Sequence, residues 1–274
     1  MLERKSDKEL AFLQDLYIET DWGERFAELI DEHVALPKEG TALYINAGSG
    51  GHTIALQQRG GDKLKIIAVD ENEECVEIAR AKAIALNEKT RFQCEPSDNL
   101  SFGDEQFDLV FSNNSFTSPV DFKRNLSEAV RVARAGATVA TWLPTASSFG
   151  EFFSIYWEAL LSAQLADHGV DVENLITELP TVSDAEAIAQ ESGLQDINSW
   201  MAIEEFDFDS AEEFLNSPLI NDFLLESWMR QVPALARQRV IQELRRIIDE
   251  ERHEREFALS VKATLLVGTK SRVQ

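Results

Sequence analysis

Residues 41–53 read TALYINAGSGGHT and residues 65–71 read KIIAVDE. Each begins as a short apolar run of strand length. The first, strand-like over 41–46, opens into Asn46-Ala47-Gly48-Ser49-Gly50-Gly51-His52. Glycines there permit a tight turn and let a ligand approach backbone that a Cβ would shield. The second, strand-like over 65–70, ends in Asp70 followed by Glu71. A carboxylate at this point accepts both hydrogen bonds from a ribose diol, and serves equally well as an acidic cap on the next helix. Asp70 follows Gly48 by 22 positions, and the two together point to an adenosine-type ligand more strongly than either alone.

Outward from this pair the alternation continues. Residues 53–59 read as helix, 74–86 as helix, 90–94 as strand, 108–112 as strand, 122–134 as helix and 138–143 as strand. Strands alternating with helices imply βαβ units, an α/β fold and a parallel sheet covered on both faces. In such a sheet ligands sit beyond the carboxyl ends of the strands. Residues 1–36 form a preamble in which Leu10, Leu13, Leu16 and Tyr17, then Phe26, Leu29 and Ile30, recur at helical spacing, with Thr20-Asp21 placed to cap the second helix. Beyond 143, residues 145–168 read as one long helix whose Phe149, Phe152, Phe153, Tyr156 and Trp157 are either core or the face of a lid. Residues 183–192 read as a helix ended by Gly193, and 196–208 and 257–269 alternate as strands. Residues 210–253 between them read as helical, with Phe214, Phe223, Leu224 and Trp228 as cap or interface residues. Residues 249–256 form a solvated helical end that includes a Glu251–Arg255 pair. The expected organisation is a helical cap segment (1–36), a cofactor-binding core (37–143), and cap insertions with two closing strands of the same sheet (144–274).

Composition narrows the partners. The chain has 274 residues, 44% of them hydrophobic, and 26 basic against 49 acidic residues give a net charge of −23. That charge repels a phosphate backbone, so neither nucleic acid nor an anionic membrane is an expected partner. The N-terminus has no apolar h-region and no run of about 18 apolar residues occurs, so no stable membrane insertion is expected and the location is cytoplasmic. Cys75 and Cys94 read as buried thiols. His33, His52, His168 and His253 make no HxxxH or HExxH pattern, so no metal is expected.

Gly48-x-Gly50-x-x-Thr53 lacks the third glycine of the dinucleotide fingerprint. The later blocks Asn99-Leu100-Ser101-Phe102, then Phe107-Asp108-Leu109-Val110-Phe111-Ser112-Asn113-Asn114-Ser115-Phe116, then Leu126-Ser127-Glu128-Ala129-Val130-Arg131-Val132, resemble the type 11 methyltransferase family, which includes the quinone-biosynthetic C-methyltransferases. The resemblance covers residues 41–143. It implies a Rossmann-like class I methyltransferase fold: a seven-stranded, mostly parallel sheet with helices on both faces, a helical cap, and a final antiparallel strand pair. It also implies S-adenosylmethionine as cofactor. By the same resemblance Gly48 and Gly50 line the methionine and ribose, with Asn46 and Ala47 in the same loop. Asp70, followed by Glu71, holds the ribose hydroxyls. Ser97-Asp98 meets the adenine, Asn113 faces the methionine, and Tyr17 and Trp22 resemble aromatics that close over the cofactor or pack in the core. The chain departs from the family pattern in three places. Asn46 replaces the usual acidic residue, His52 stands at the third glycine, and Pro96 stands where an aspartate reads the adenine amine, with Glu95 or Asp98 nearby to substitute. Ala135-Gly136-Ala137 replaces a Pro-Gly-Gly turn.

The implied reaction is attack of a nucleophilic carbon, nitrogen or oxygen on a sulfonium methyl, which alignment alone largely accelerates. No catalytic residue is therefore assigned, and Glu151, His52 and Asn114 are named only as helpers near the strand ends. The expected acceptor is a small molecule, apolar or planar, and an oligomer is possible. Two other readings stay open: a catalytically silent methyltransferase-fold partner module, and a dinucleotide-dependent oxidoreductase.

Overall fold

In the computed structural model, which describes residues 5–251 and 257–272, the two stretches quoted above become neighbouring parallel strands. Strand β1 (Gly40–Ile45) pairs with β2 (Leu64–Asp70), with Ala42 opposite Ile66 and Ile45 opposite Val69. β3 (Arg91–Cys94) extends the sheet beyond β2, and β4 (Phe107–Asn113) and β5 (Ala133–Pro144) extend it on the other side of β1, all in parallel. With β6 (Leu194–Phe208) and β7 (Phe257–Lys270) the described residues form a seven-stranded sheet in the order β3-β2-β1-β4-β5-β7-β6. β7 runs against β5. The Lys270 amine near its end donates to the Arg131 and Ala133 carbonyls at the start of β5, while the Lys262 carbonyl accepts from Thr145 just past the end of β5.

Crossover helices cover the parallel part: α3 (Gly51–Gly60), α4 (Glu73–Ala85) and α5 (Pro119–Val132). Because these strands are buried on both faces, they read as almost continuous apolar runs. On one face Leu43, Ile45, Val110, Val139 and Leu143 pack with Phe122, Leu126 and Ala129 of α5. On the other, Tyr44 meets Phe111 and Trp142 at ring-centroid distances of 5.6 Å each. The strand order reverses between β1 and β4, which opens a crevice at their carboxyl ends.

The chain divides into two compact units. One comprises Met1–Leu143, Val182–Met201 and Thr264–Gln274, and the other Pro144–Thr181 and Ala202–Ala263. In the second unit the aromatic run of α6 (Gly150–Ser162) is core and not a lid face. Phe152, Phe153 and Tyr156 are buried, Phe152 stacks on Trp228 with centroids 4.2 Å apart, and the Tyr156 hydroxyl donates to the Trp228 carbonyl.

Four sequence expectations change. The helix expected over 145–168 begins only at Gly150, because Ser147 and Phe149 take left-handed backbone (φ 80° and 63°) while Thr145 and Phe149 donate to Lys262 and Ser260 of β7. The helical stretch expected from 210 breaks at Ser217-Pro218 and again before Pro233, where proline cannot continue the ladder. Thr20-Asp21 caps nothing. The chain stays helical from α1 (Asp7–Leu13) through a π-helix (Gln14–Gly23) into α2 (Glu24–His33), with Thr20 bonded back to the Leu16 carbonyl and Asp21 paired to Arg25. The cap that starts this run is a Ser6–Glu9 capping box. Cys94, expected buried, is exposed, and Cys75 is buried. His253 and the Glu251–Arg255 pair lie outside the described residues. Among the described residues no helix is long and apolar enough to cross a membrane.

Gln57 ties α3 to β2. Its amide donates to the Gly61 and Leu64 carbonyls at 3.1 and 2.7 Å, and its oxygen accepts from the Ile66 amide at 3.0 Å. Gln57→Ala strands two buried backbone groups and is expected to destabilise the fold by about 2–4 kcal/mol, read as a lower urea midpoint.

Candidate active site

The turn after β1 has the backbone that its residues allow. Asn46, Gly48 and Gly50 all have positive φ, at 57°, 56° and 81°. Asparagine tolerates this region better than most side chains, and glycine pays nothing for it. The Asn46 amide nitrogen donates to the Asn113 carbonyl at 2.7 Å, which clasps the ends of β1 and β4 together. A carboxylate could not donate there, which gives a physical reason for asparagine where the family pattern has an acid. The Gly48 amide donates to Asp70 Oδ2 at 2.7 Å, and Asp70 Oδ1 accepts from Asn72 at 3.0 Å, whose own side chain caps α4. Asp70 is 9% exposed. Burial raises its pKa above the usual carboxylate value, and the two backbone N–H groups only partly oppose this.

The N-terminal helical run supplies the wall facing this loop. In its π-helical stretch Gln14, Asp15 and Glu19 lie about one turn apart and share a face. The Glu19 carboxylate accepts from the Ser49 amide and, at 3.1 Å, from the Gly51 amide at the start of α3, the end of a helix that favours an anion. Asp15 pairs with Lys82 and accepts from the Ser49 hydroxyl, and Lys82 donates to that hydroxyl at 2.9 Å. A Cβ on Gly48 would collide with Glu19 and Gln14. Burial raises the Glu19 pKa, against the opposing Lys82 charge and the hydrogen bonds from Ser49 and Gly51.

Between this run and the strand ends lies a cavity of about 520 Å³. Its apolar walls are Trp22, Phe26, Ile30, Phe116 and Trp142, with Trp22 stacked on Phe116 at 5.1 Å. Its polar side carries Tyr44, His52 and Asp31. The Tyr44 hydroxyl lies 3.0 Å from His52 Nδ1, His52 Nε2 lies 3.2 Å from Asp31 Oδ1, and Arg59 pairs with the same Asp31 oxygen. Burial pushes the Tyr44 phenol well above its usual pKa, reinforced by the charges of Glu19 and Asp31. For Asp31 burial acts upward, but hydrogen bonds and charges from His52 and Arg59 outweigh it and lower the pKa.

Of the residues singled out in the sequence, Trp22, Ala47, Gly48, His52 and Asn113 line this cavity. Asn46, Gly50 and Asp70 belong to the loop and strand end that frame it. Tyr17 is 54% exposed on the outer face of the helical run. Glu71 and Asp98 are exposed and Ser97 is half-buried, Asp98 lying 3.7 Å from Arg124, and none of the three lines the cavity. Glu95 is committed to the Ser101 amide and hydroxyl, and Glu151 to those of Ser260 in the second unit. Asn114 is locked into a buried network with Ser112, Thr141 and Asn125. Asp15, Glu19, Asp31 and Lys82 were not singled out. Asp15 and Glu19 stand in the π-helix, Asp31 in α2 and Lys82 in α4, and only the density of carboxylates marks the N-terminal run.

Residues 42–136 match the family model described as a methyltransferase domain. A demethylmenaquinone methyltransferase from Staphylococcus epidermidis is 28% identical over 45% of this chain and 52% of its own length. The chain therefore spans about half the length of such curated relatives. The solved structure of the YcgJ protein from Bacillus subtilis aligns over 91% of this chain and all of its own, with a TM-score of 0.59 and 18% identity. That of Haemonchus contortus phosphoethanolamine N-methyltransferase 2 in complex with S-adenosyl-L-methionine aligns over 97% of this chain and 58% of its own, with a TM-score of 0.54 and 16% identity. At these identities the structures establish the fold.

Asn46→Asp replaces the donor to the Asn113 carbonyl with a charged acceptor. A loss of about 1–2 kcal/mol is expected at pH 7 in urea unfolding, shrinking toward pH ~4 as the new carboxyl protonates and can donate.

Proposed function

We propose that this protein, a class I S-adenosylmethionine-dependent methyltransferase by its residues 42–136, moves the cofactor's methyl group to a small acceptor with an apolar or planar body. The observation that carries the reading is a buried carboxylate, Asp70, hydrogen-bonded to the Gly48 amide of the glycine turn beside an aromatic-walled cavity of about 520 Å³. The chemistry of the donor set fits the cofactor. Asp70 offers acceptor lone pairs for the ribose diol, Gly48 and Gly50 bring no side chain of their own to the turn, and Asn113 stands at the adjoining strand end. When bound, the cofactor supplies an electrophilic methyl on a sulfonium. The protein's own residues orient it and exclude water, with Trp22, Phe116 and Trp142 forming a dry wall. Ser97-Asp98, in the turn after β3, would meet the adenine.

The missing charge at Asn46 has a replacement. Glu19, brought by the helical run to the Ser49 and Gly51 amides, offers a carboxylate to the cofactor's ammonium from the opposite wall. The surface charge of −23 argues against nucleic-acid acceptors, and we assign the protein to the cytoplasm, acting on a free small molecule.

Calorimetric titration with S-adenosylmethionine and S-adenosylhomocysteine, with NADH as control, tests the reading. Micromolar binding lost by at least about 100-fold in Asp70→Ala is expected, and no binding below about 1 mM would sink it. Because a cation beside Glu19 lowers its raised pKa, binding is expected to expel a proton. Affinity should therefore rise with pH above the ordinary carboxylate range until Glu19 is ionised in the free protein. Glu19→Gln should weaken binding about tenfold and abolish the proton release.

A further inference from the structure

We infer that Tyr44, His52 and Asp31 form a relay that takes a proton from the methyl acceptor, and that the acceptor is an amine presented as its ammonium; this rests on the methyltransferase reading above. All three side chains line the cavity and are joined in series, Tyr44 hydroxyl to His52 Nδ1 at 3.0 Å and His52 Nε2 to Asp31 at 3.2 Å. They come from three separate elements, β1, α3 and α2, so the alignment is made by the fold and not by one turn of chain. Purely structural packing would not require this chain of titratable groups to border the space an acceptor would occupy.

The direction of transfer follows from the surroundings. Burial disfavours a standing Tyr44 phenolate, so Tyr44 can accept a proton only as it passes its own to His52. Asp31, itself paired to Arg59, stabilises the imidazolium that results. The Asp31 side chain is 37% exposed against 15% for His52, which gives the proton its exit to solvent. The charged groups facing the relay are Glu19 from the π-helix, Asp31 from α2 and Arg59 from α3, with Lys82 of α4 behind Glu19.

The same walls select the acceptor. Asp15, Glu19, Glu24, Glu28 and Asp31 line the cavity with Lys82 as the sole Lys or Arg among the lining residues, so a cation is favoured over an anion. The aromatic faces add cation–π attraction for an ammonium carried on an apolar body. An ammonium cannot attack a methyl until it is deprotonated, which is the task the relay performs. In the step, an N–H bond of the acceptor breaks and an O–H bond forms at Tyr44 as its proton passes to His52 Nδ1. The freed nitrogen lone pair forms the N–CH3 bond, and the electron pair of the breaking C–S bond leaves on the donor sulfur.

The test uses the full chain with 2-phenylethylamine, N-methylphenylethylamine, and the neutral 2-phenylethanol and 4-ethylphenol. With S-adenosylhomocysteine bound, calorimetry is expected to show the amines binding at least about tenfold tighter than the neutral probes. Amines binding no tighter, or not at all, while S-adenosylhomocysteine still binds overturns the acceptor assignment and leaves the cofactor reading intact. If S-adenosylhomocysteine itself does not bind, the failure is that of the cofactor reading. On the protein carrying S-adenosylhomocysteine and an amine, 15N NMR of the His52 ring is expected to show it gaining a proton in the wild type, much less in Tyr44→Phe, and a changed tautomer in Asp31→Asn. With S-adenosylmethionine, Tyr44→Phe and His52→Gln should each cut kcat about 100-fold with KM and cofactor affinity held within about threefold. An unchanged His52 ring on amine binding, or Tyr44→Phe turning over at the wild-type rate, overturns the relay.

Discussion

The hydrogen bond from the Gly48 amide to Asp70 joins the ends of β1 and β2 beside the crevice between β1 and β4 where the strand order reverses, and the site is built around it. It requires a left-handed glycine, because the backbone turns there at φ 56° and no room remains for a Cβ. It also requires a carboxylate held close to dry backbone, which shifts the Asp70 pKa upward. Asn46 adds the second clasp, from β1 to β4. These two bonds hold a glycine turn whose amides are taken up by Val69, Ala47, Asp70 and Glu19.

The N-terminal helical run matters for a different reason. A helix that stayed strictly α-helical would not keep Gln14 and Glu19, five positions apart, on one face, whereas π-helical widening does so. This face carries two carboxylates to the start of α3, where unpaired amides and the helix dipole hold Glu19. A further consequence is that the cavity is walled by one layer of secondary structure that belongs to the sheet and one that precedes it.

Charge and apolar surface act together inside that cavity. Five carboxylates and one ammonium are set among indole and phenyl rings, so a ligand must offset the carboxylates while filling apolar space. The Tyr44–His52–Asp31 series sits at the polar side of this space, and Arg59 holds its far end. His52, a departure from the family glycine, thereby acquires a partner on each ring nitrogen.

How much of this was legible in the sequence differs from residue to residue. The strands, their parallel order, the glycine turn and the carboxylate at Asp70 could be read because each rests on local chemistry: apolar runs of strand length, glycine where φ must be positive, and a fixed spacing between loop and acid. Helices beyond 143 were harder to bound, since the turn through left-handed Ser147 and Phe149 is held by bonds from Thr145 and Phe149 to β7, more than a hundred positions away. The exposure of Tyr17 beside the burial of Trp22 depends on which face of one helix meets the sheet. Glu19, Asp31 and the partnership of Tyr44 with His52 carry no local signature at all, because they become a site only through packing of α2 and the π-helix across β1 and α3. The sequence by itself determined the fold class and the glycine turn that faces Asp70, through conformational constraints that act within a few residues. Tertiary structure alone decided which carboxylates and aromatics line the cavity beside that turn, because the side of a helix that is buried is chosen by what it packs against.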